Sequence, residues 1–199
     1  MSIVALDLET VPTVKDPDFG DPSHWEIFCI GLAHRSARGN VEAEVLIRET
    51  GSLEEEEKIL DRMCRWCDLR GAQKILTYNG KSYDYPILRH RGGGRVKELL
   101  EQTKHIDLYE LVYDRASEGE SCSLDAALDR HGIDVGTAVE FEGQQFTGED
   151  MPRVARALWN ELVTGERRRK VLRAAEWYAM SDVRPLFDLH DTLVEKPRG

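Results

Sequence analysis

Asp7-Leu8-Glu9 ends an otherwise apolar run that starts at Ile3. In an extended strand, residues i and i+2 project from one face, so both carboxylates point together and Leu8 points the other way, into apolar surroundings. Two such charges a few ångströms apart repel by several kcal/mol at an effective dielectric of about 20. No cationic residue stands beside them in sequence. A fold tolerates the pair if a cation sits between the groups or if one group is protonated. On its own the D-x-E spacing is common by chance. Two further segments carry chemistry of the same kind. Tyr78-Asn79-Gly80-Lys81-Ser82-Tyr83-Asp84-Tyr85-Pro86 runs through an Asn-Gly turn into a helix start, where Asp84 alone would read as a cap. In Trp177 to Leu186, Tyr178 and Asp182 are four apart and share a helix face; alone, the first reads as packing and the second as a surface acid.

Other constellations are weaker. Gly80-Lys81-Ser82 lacks a phosphate loop's first glycine, because Ile75 stands five residues before Gly80. Cys64 and Cys67 have the C-x-x-C spacing within a helical pattern, without a second pair nearby, and read as structural thiols. Glu54 to Glu57 follow Ser52, which forms a capping box with Glu55, so the run reads as a solvated helix start. Arg89 to Arg95, a basic glycine-containing stretch, is either a phosphate contact or, preferably, a flexible inter-helix loop. Arg167 to Lys170 is divided evenly between phosphate contact and solvated helix face. The four tryptophans fit core or groove roles.

Three strands are expected to position the first acids: Ile3–Leu8, Ile27–Ala33 and the half-exposed Val41–Ile47. A helix to about Arg70 follows, then a fourth strand over Lys74–Tyr78. Helices are expected near 84–90, 94–102, 107–114, 123–131, 151–164 and 168–194. Ser123 and Asp150 read as N-caps, Gly132 and Gly165 as C-terminal stops, and Pro185 as a break. Short loops make the first three strands an antiparallel meander, and the helix crossover returns the fourth parallel to the sheet. With the first strand between the hairpin and the fourth, the carboxyl ends of strands one and four lie side by side, and sites collect at that edge. The expected class is α/β, a mixed sheet with flanking helices and a helical C-terminal half, as a single domain over 1–199.

The composition, 41% hydrophobic and 32% charged, is that of a soluble globular chain that needs no disulfide or zinc staple. A net charge of −10 excludes a generic phosphate-coating protein, because non-specific nucleic-acid binding needs positive charge. It leaves open an enzyme that places metal ions between its acids and a phosphate. No apolar run is long enough for a membrane span and the start is no secretory signal, so reduced thiols and a cytoplasmic location are expected.

Taken together, the three segments resemble the DEDDy branch of the 3′–5′ exonucleases, in the ribonuclease-H-like superfamily. That family's D-x-E motif matches Asp7 and Glu9. Its N-x-x-x-(F/Y)-D motif matches Asn79, Tyr83 and Asp84, and its Y-x-x-x-D motif matches Tyr178 and Asp182. The stretch Asn79 to Leu88 is similar to the proofreading domain of family B DNA polymerases and its stand-alone relatives. His105 to Leu108 and Ser123 to Asp125 are less specifically so. The sister branch that includes oligoribonuclease carries His where Tyr178 stands.

The resemblance implies a ribonuclease-H-like sheet. It also implies metal-dependent hydrolysis of phosphodiester bonds from the 3′ end of single-stranded DNA, with RNA possible, in a setting such as DNA repair. Asp7, Glu9, Asp84 and Asp182 would hold two divalent cations, Mg²⁺ or Mn²⁺, about 4 Å apart, which activate a water and stabilise the leaving oxygen. Tyr178 would orient that water, since a phenol with a pKa near 10 is a poor base. Leu8 and Thr10 would lie near the terminal nucleotide, and Asn79 would hold the substrate or its own loop. The alternative is a nucleic-acid-binding or regulatory module of the same fold with little turnover.

Overall fold

The computed structural model describes residues 2–36, 38–134, 140–141 and 143–195. Strand β1 (Ile3–Pro12) pairs antiparallel with β2 (Trp25–Arg35), and β2 pairs antiparallel with β3 (Val41–Ile47). Helix α1 (Leu53–Leu69) crosses over to β4 (Lys74–Thr77), which lies parallel to β1. The sheet order is β3-β2-β1-β4-β5, with β1 at the centre as expected. The fifth strand, β5 (Lys104–Asp107), is parallel to β4 and was not foreseen. Its four residues, Lys-His-Ile-Asp, carry too little alternation to stand out between two helices, and its pairing partner is distant in sequence.

Helices α2 (Asp84–Arg91) and α3 (Gly94–Gln102) cover the α1 face. There Val4, Leu6 and Leu8 of β1 pack with Ile30 and Leu32 of β2 and with Ile59, Leu60 and Met63 of α1. The other face carries α4 (Leu108–Tyr113), α5 (Leu124–Arg130), α6 (Met151–Trp159), α7 (Gly165–Val183) and α8 (Leu186–Glu195). Ala5 and Ala33 meet Val183 and Leu186 there, and Cys29 meets Ala175 and Ala179. Two short strands, β6 (Glu140–Phe141) and β7 (Gln144–Gln145), precede α6. The C-terminal half is therefore mainly helical. Among the described residues no helix is long and apolar enough to cross a membrane.

Several local expectations are met. Ser123 accepts the Ala126 N–H, and Gly132, at φ +67°, ends α5 in the left-handed conformation. Pro185 separates α7 from α8, because it offers no N–H to continue the ladder. Cys64 and Cys67 are buried, unbridged thiols, pushed up to about 11 and about 12 by burial.

Others need correction. The expected helix 151–164 stops at Trp159, and Gly165 opens α7 instead of closing the preceding helix. Asp150 does not cap α6 with its side chain; its carboxylate turns back to accept the Thr147 N–H at 3.1 Å. Half of the Ser52 box forms: Ser52 accepts from the Glu55 N–H, but the Glu55 carboxylate reaches past it to Thr50.

The acidic run is also not wholly solvated. Glu56 is buried, accepts the Ile27 N–H at 2.8 Å and binds both nitrogens on one edge of the Arg91 guanidinium. Fully buried Arg48 lies 3.0 Å from Glu26, 3.8 Å from Glu56 and 4.4 Å over the Trp159 ring. Glu56→Ala is expected to cost about 3–5 kcal/mol in urea unfolding, because it removes the counter-charge of Arg91 and one of the two beside Arg48 and leaves the Ile27 N–H without its acceptor. A loss below about 1 kcal/mol, the size of a surface pair, would contradict this assignment.

Candidate metal centre

Strand alternation puts Asp7 and Glu9 on the α7 face of β1, between Ala5 and Val11. Asp7 lies opposite Gly31 of β2, and the register shifts between Glu9 and Thr10, where Phe28 is the extra residue on β2. Such a bulge twists the strand and re-aims its side chains, and the pairing then resumes as far as Pro12↔Trp25. On the other side, β4 pairs with β1 only as far as Ala5↔Leu76. Beyond that point the Leu8 N–H finds Asp84 instead, donating to Oδ1 at 2.9 Å. That bond fixes Asp84, at the start of α2, to the residue between Asp7 and Glu9.

Asp182 arrives from α7, which lies directly on β2. A Cβ added at Gly31 would stand 2.8 Å from the Ala179 carbonyl oxygen and 3.1 Å from Val183. These two α7 residues flank Asp182, so the close approach at Gly31 sets its height above the sheet. One carboxylate oxygen each from Asp7, Glu9 and Asp182 lies within 4.8 Å of the other two. Asp84 stands outside that trio, joined to it by the Leu8 bond.

The electrostatics follow from this crowding. Burial pushes Asp7 well above the ordinary carboxylate range, and the Asp84 charge adds to it. Glu9 is raised by burial and then by Asp7, Asp182 and Asp84. Burial raises Asp182, with Asp7 and Asp125 adding, while hydrogen bonds from Tyr178 and Ser181 oppose the rise. Asp84 is pushed up to about 7 by burial, against the pull of the Leu8 N–H. All four acids favour either a proton or a cation over bare charge. An all-carboxylate donor set suits hard divalent ions, so these residues fit Mg²⁺ or Mn²⁺.

This arrangement has a measurable pH signature. A carboxyl whose folded pKa exceeds its unfolded value, near 4, stabilises the fold fully below that value. The contribution is lost as pH rises through the folded pKa, about 7 for Asp84 and also upward for its neighbours. His34 and His105, lowered by burial, act below their ordinary value and so below this window. Metal-free protein is therefore expected to melt at a higher temperature at pH 6.5 than at pH 8.5, and saturating Mn²⁺ is expected to remove that difference. A midpoint that climbs with pH in the presence of chelator would contradict it.

Tyr178, one turn before Asp182, is half-buried, and burial raises its phenol pKa further. Thr10 is buried and shares a hydrogen bond with the Tyr83 hydroxyl. The Leu8 side chain is 5% exposed and lies in the core, so a ligand at this edge would meet only its backbone. Asn79 is exposed, at φ 61°, a left-handed conformation that asparagine tolerates. Its loop is held by a residue the sequence reading gave no role, Asp107. The buried Asp107 carboxylate accepts the N–H groups of Asn79, Lys81 and Tyr109 at 2.7, 2.8 and 3.1 Å. Of the basic candidates, Arg91 pairs with Glu56, Arg95 with Asp61 and Asp68, Arg168 with Glu49 and Lys170 with Glu166. Arg91 belongs to α2 and Arg95 to α3, so the glycine-rich connection is shorter than expected.

The family model RNase_H_2, of the RNase H superfamily, matches residues 6–194. No curated protein matches the sequence. Among solved structures, the fold is similar to that of the family B DNA polymerase from the hyperthermophilic archaeon Pyrobaculum calidifontis, with a TM-score of 0.62 and 16% sequence identity. The similarity covers 97% of this chain and 24% of the polymerase.

Proposed function

The chain belongs to the RNase_H_2 family of the RNase H superfamily, and on that footing we propose that it is a divalent-metal-dependent 3′–5′ exonuclease of the DEDDy type. Its substrate in this reading is the 3′ end of single-stranded nucleic acid, DNA in preference to RNA, and residues 1–199 serve as one such domain. The observation that carries the reading is the meeting of Asp7, Glu9 and Asp182 within 4.8 Å, with buried Asp84 tied to the backbone between the first two.

Two Mg²⁺ or Mn²⁺ ions, when bound, supply the Lewis acidity that activates a water and stabilises a leaving 3′ oxygen. Asp7, Glu9, Asp84 and Asp182 would hold them. The Leu8 N–H holds Asp84 Oδ1 and so fixes the angle at which Asp84 presents its carboxylate. The half-buried Tyr178 phenol keeps its proton at neutral pH, so it would orient the water by hydrogen bonding and not act as the base. Thr10, held by Tyr83, and the Leu8 backbone face the terminal nucleotide, and Asn79 steadies the strand from its turn.

A 5′-labelled single-stranded oligonucleotide tests this. With Mn²⁺ or Mg²⁺ it should shorten one nucleotide at a time, and chelator should stop the reaction. Shortening of a 3′-labelled strand from its far end, or cleavage that persists in chelator, would refute the proposal.

A further inference from the structure

Two residues outside α7 fix the ring of Tyr178. Buried Phe146 meets it edge-on, with ring centroids 5.9 Å apart and planes at 64°. Gly148 opens the 3-10 turn Gly148–Asp150, and a Cβ built there would stand 2.9 Å from the Tyr178 hydroxyl oxygen and 3.5 Å from Cζ. The backbone at Gly148 lies outside the left-handed region, so its conformation does not demand glycine. What demands it is the space taken by the phenol.

The turn itself is braced. Thr147 donates its N–H to Asp150, Asp150 pairs with Arg153 at 2.8 Å, and Met151 just beyond is fully buried. A side chain at 148 would therefore displace the phenol before it displaced the turn. The geometry points to Gly148 as a positioning residue: its missing side chain is the seat that keeps the Tyr178 hydroxyl beside Asp182. This inference rests on the nuclease reading for its kinetic consequence and on the packing alone for its structural one. Relieving the 2.9 Å contact moves the hydroxyl by a few tenths of an ångström; because the phenol acts by direction, and misplacement by about 1 Å costs on the order of a hundredfold, the smaller shift costs a smaller factor.

The test is a double-mutant cycle of Gly148→Ala with Tyr178→Phe, using a single-stranded oligonucleotide and Mn²⁺. Gly148→Ala should lower kcat by roughly three- to tenfold while KM and Mn²⁺ affinity hold. In the Tyr178→Phe background, where the colliding oxygen is gone, it should change little further. An unchanged kcat, or an equal loss in both backgrounds, would overturn the assignment. If Gly148→Ala alone fails to fold, the double variant should recover the fold, and failure of both counts against the proposal. A second readout needs no turnover. In protein labelled with fluorotyrosine, the signal that vanishes in Tyr178→Phe should shift in Gly148→Ala. A motionless signal overturns the seat, whereas a shifted signal in a protein that cuts no strand retires the nuclease reading and leaves the seat standing.

Discussion

Asp7→Asn is expected to raise the melting temperature of the metal-free protein and to lower its metal-dependent cleavage by roughly two to three orders of magnitude. Both effects have one cause. Asp7 is half-buried and crowded by Asp84 and Glu9, so in the empty site its charge opposes folding. Asparagine has nearly the same shape without that charge, and the surviving acids repel less. With cations present the order reverses. The wild-type chain gains stability by binding an ion to the folded state, in proportion to the logarithm of its concentration over Kd, whereas the variant has lost a central ligand and gains little. Melts of both proteins in chelator and in excess Mn²⁺, beside the oligonucleotide assay, give the four midpoints and two rates required. A variant less stable than wild type in chelator would contradict this account, by showing that the Leu8 N–H bond to the Asp7 carboxylate outweighs the crowding.

Gly31→Val is expected to weaken Mn²⁺ binding by roughly ten- to a hundredfold, the scale seen when the support of a ligand is altered, although residue 31 carries no ligand. Its Cβ would collide with the Ala179 carbonyl, a backbone atom that cannot swing aside, and with Val183. Helix α7 must rise or slide, taking Tyr178 and Asp182 away from Asp7 and Glu9, which stay with the sheet. The overpacking itself should cost about 1–3 kcal/mol. Gly93→Ala is the control, since a Cβ there meets nothing within 4 Å. Calorimetric titration of the folded variants with Mn²⁺ separates the outcomes: equal affinity in Gly31→Val and wild type would show that α7 does not set the height of Asp182.

The acids were legible in the sequence because each lies on or beside an element with a strong local signature. Asp7 and Glu9 follow an apolar run, although the strand continues past them to Pro12, Asp84 follows an Asn-Gly turn, and Asp182 shares a helix face with Tyr178. The sheet order followed for the same reason, since a meander and one crossover leave few arrangements open. What could not be read was long-range. The strand β5 exists because β4 offers it an edge, and Glu56 is buried because Arg48 and Arg91 meet it from other elements. Gly31 did carry a signal, a glycine inside an apolar strand, which marks a close backbone approach. Gly148 and Asp107 had none that spacing could reveal, because their partners are a side chain thirty residues away and a turn on the neighbouring strand.

The most direct measurement is an anomalous-scattering map from a crystal soaked in Mn²⁺. Strong density enclosed by Asp7, Glu9 and Asp182, with Asp84 reaching into the same site, is the expected result. Manganese found only elsewhere on the molecule, with these four carboxylates unchanged, would contradict the metal centre and the nuclease proposal together.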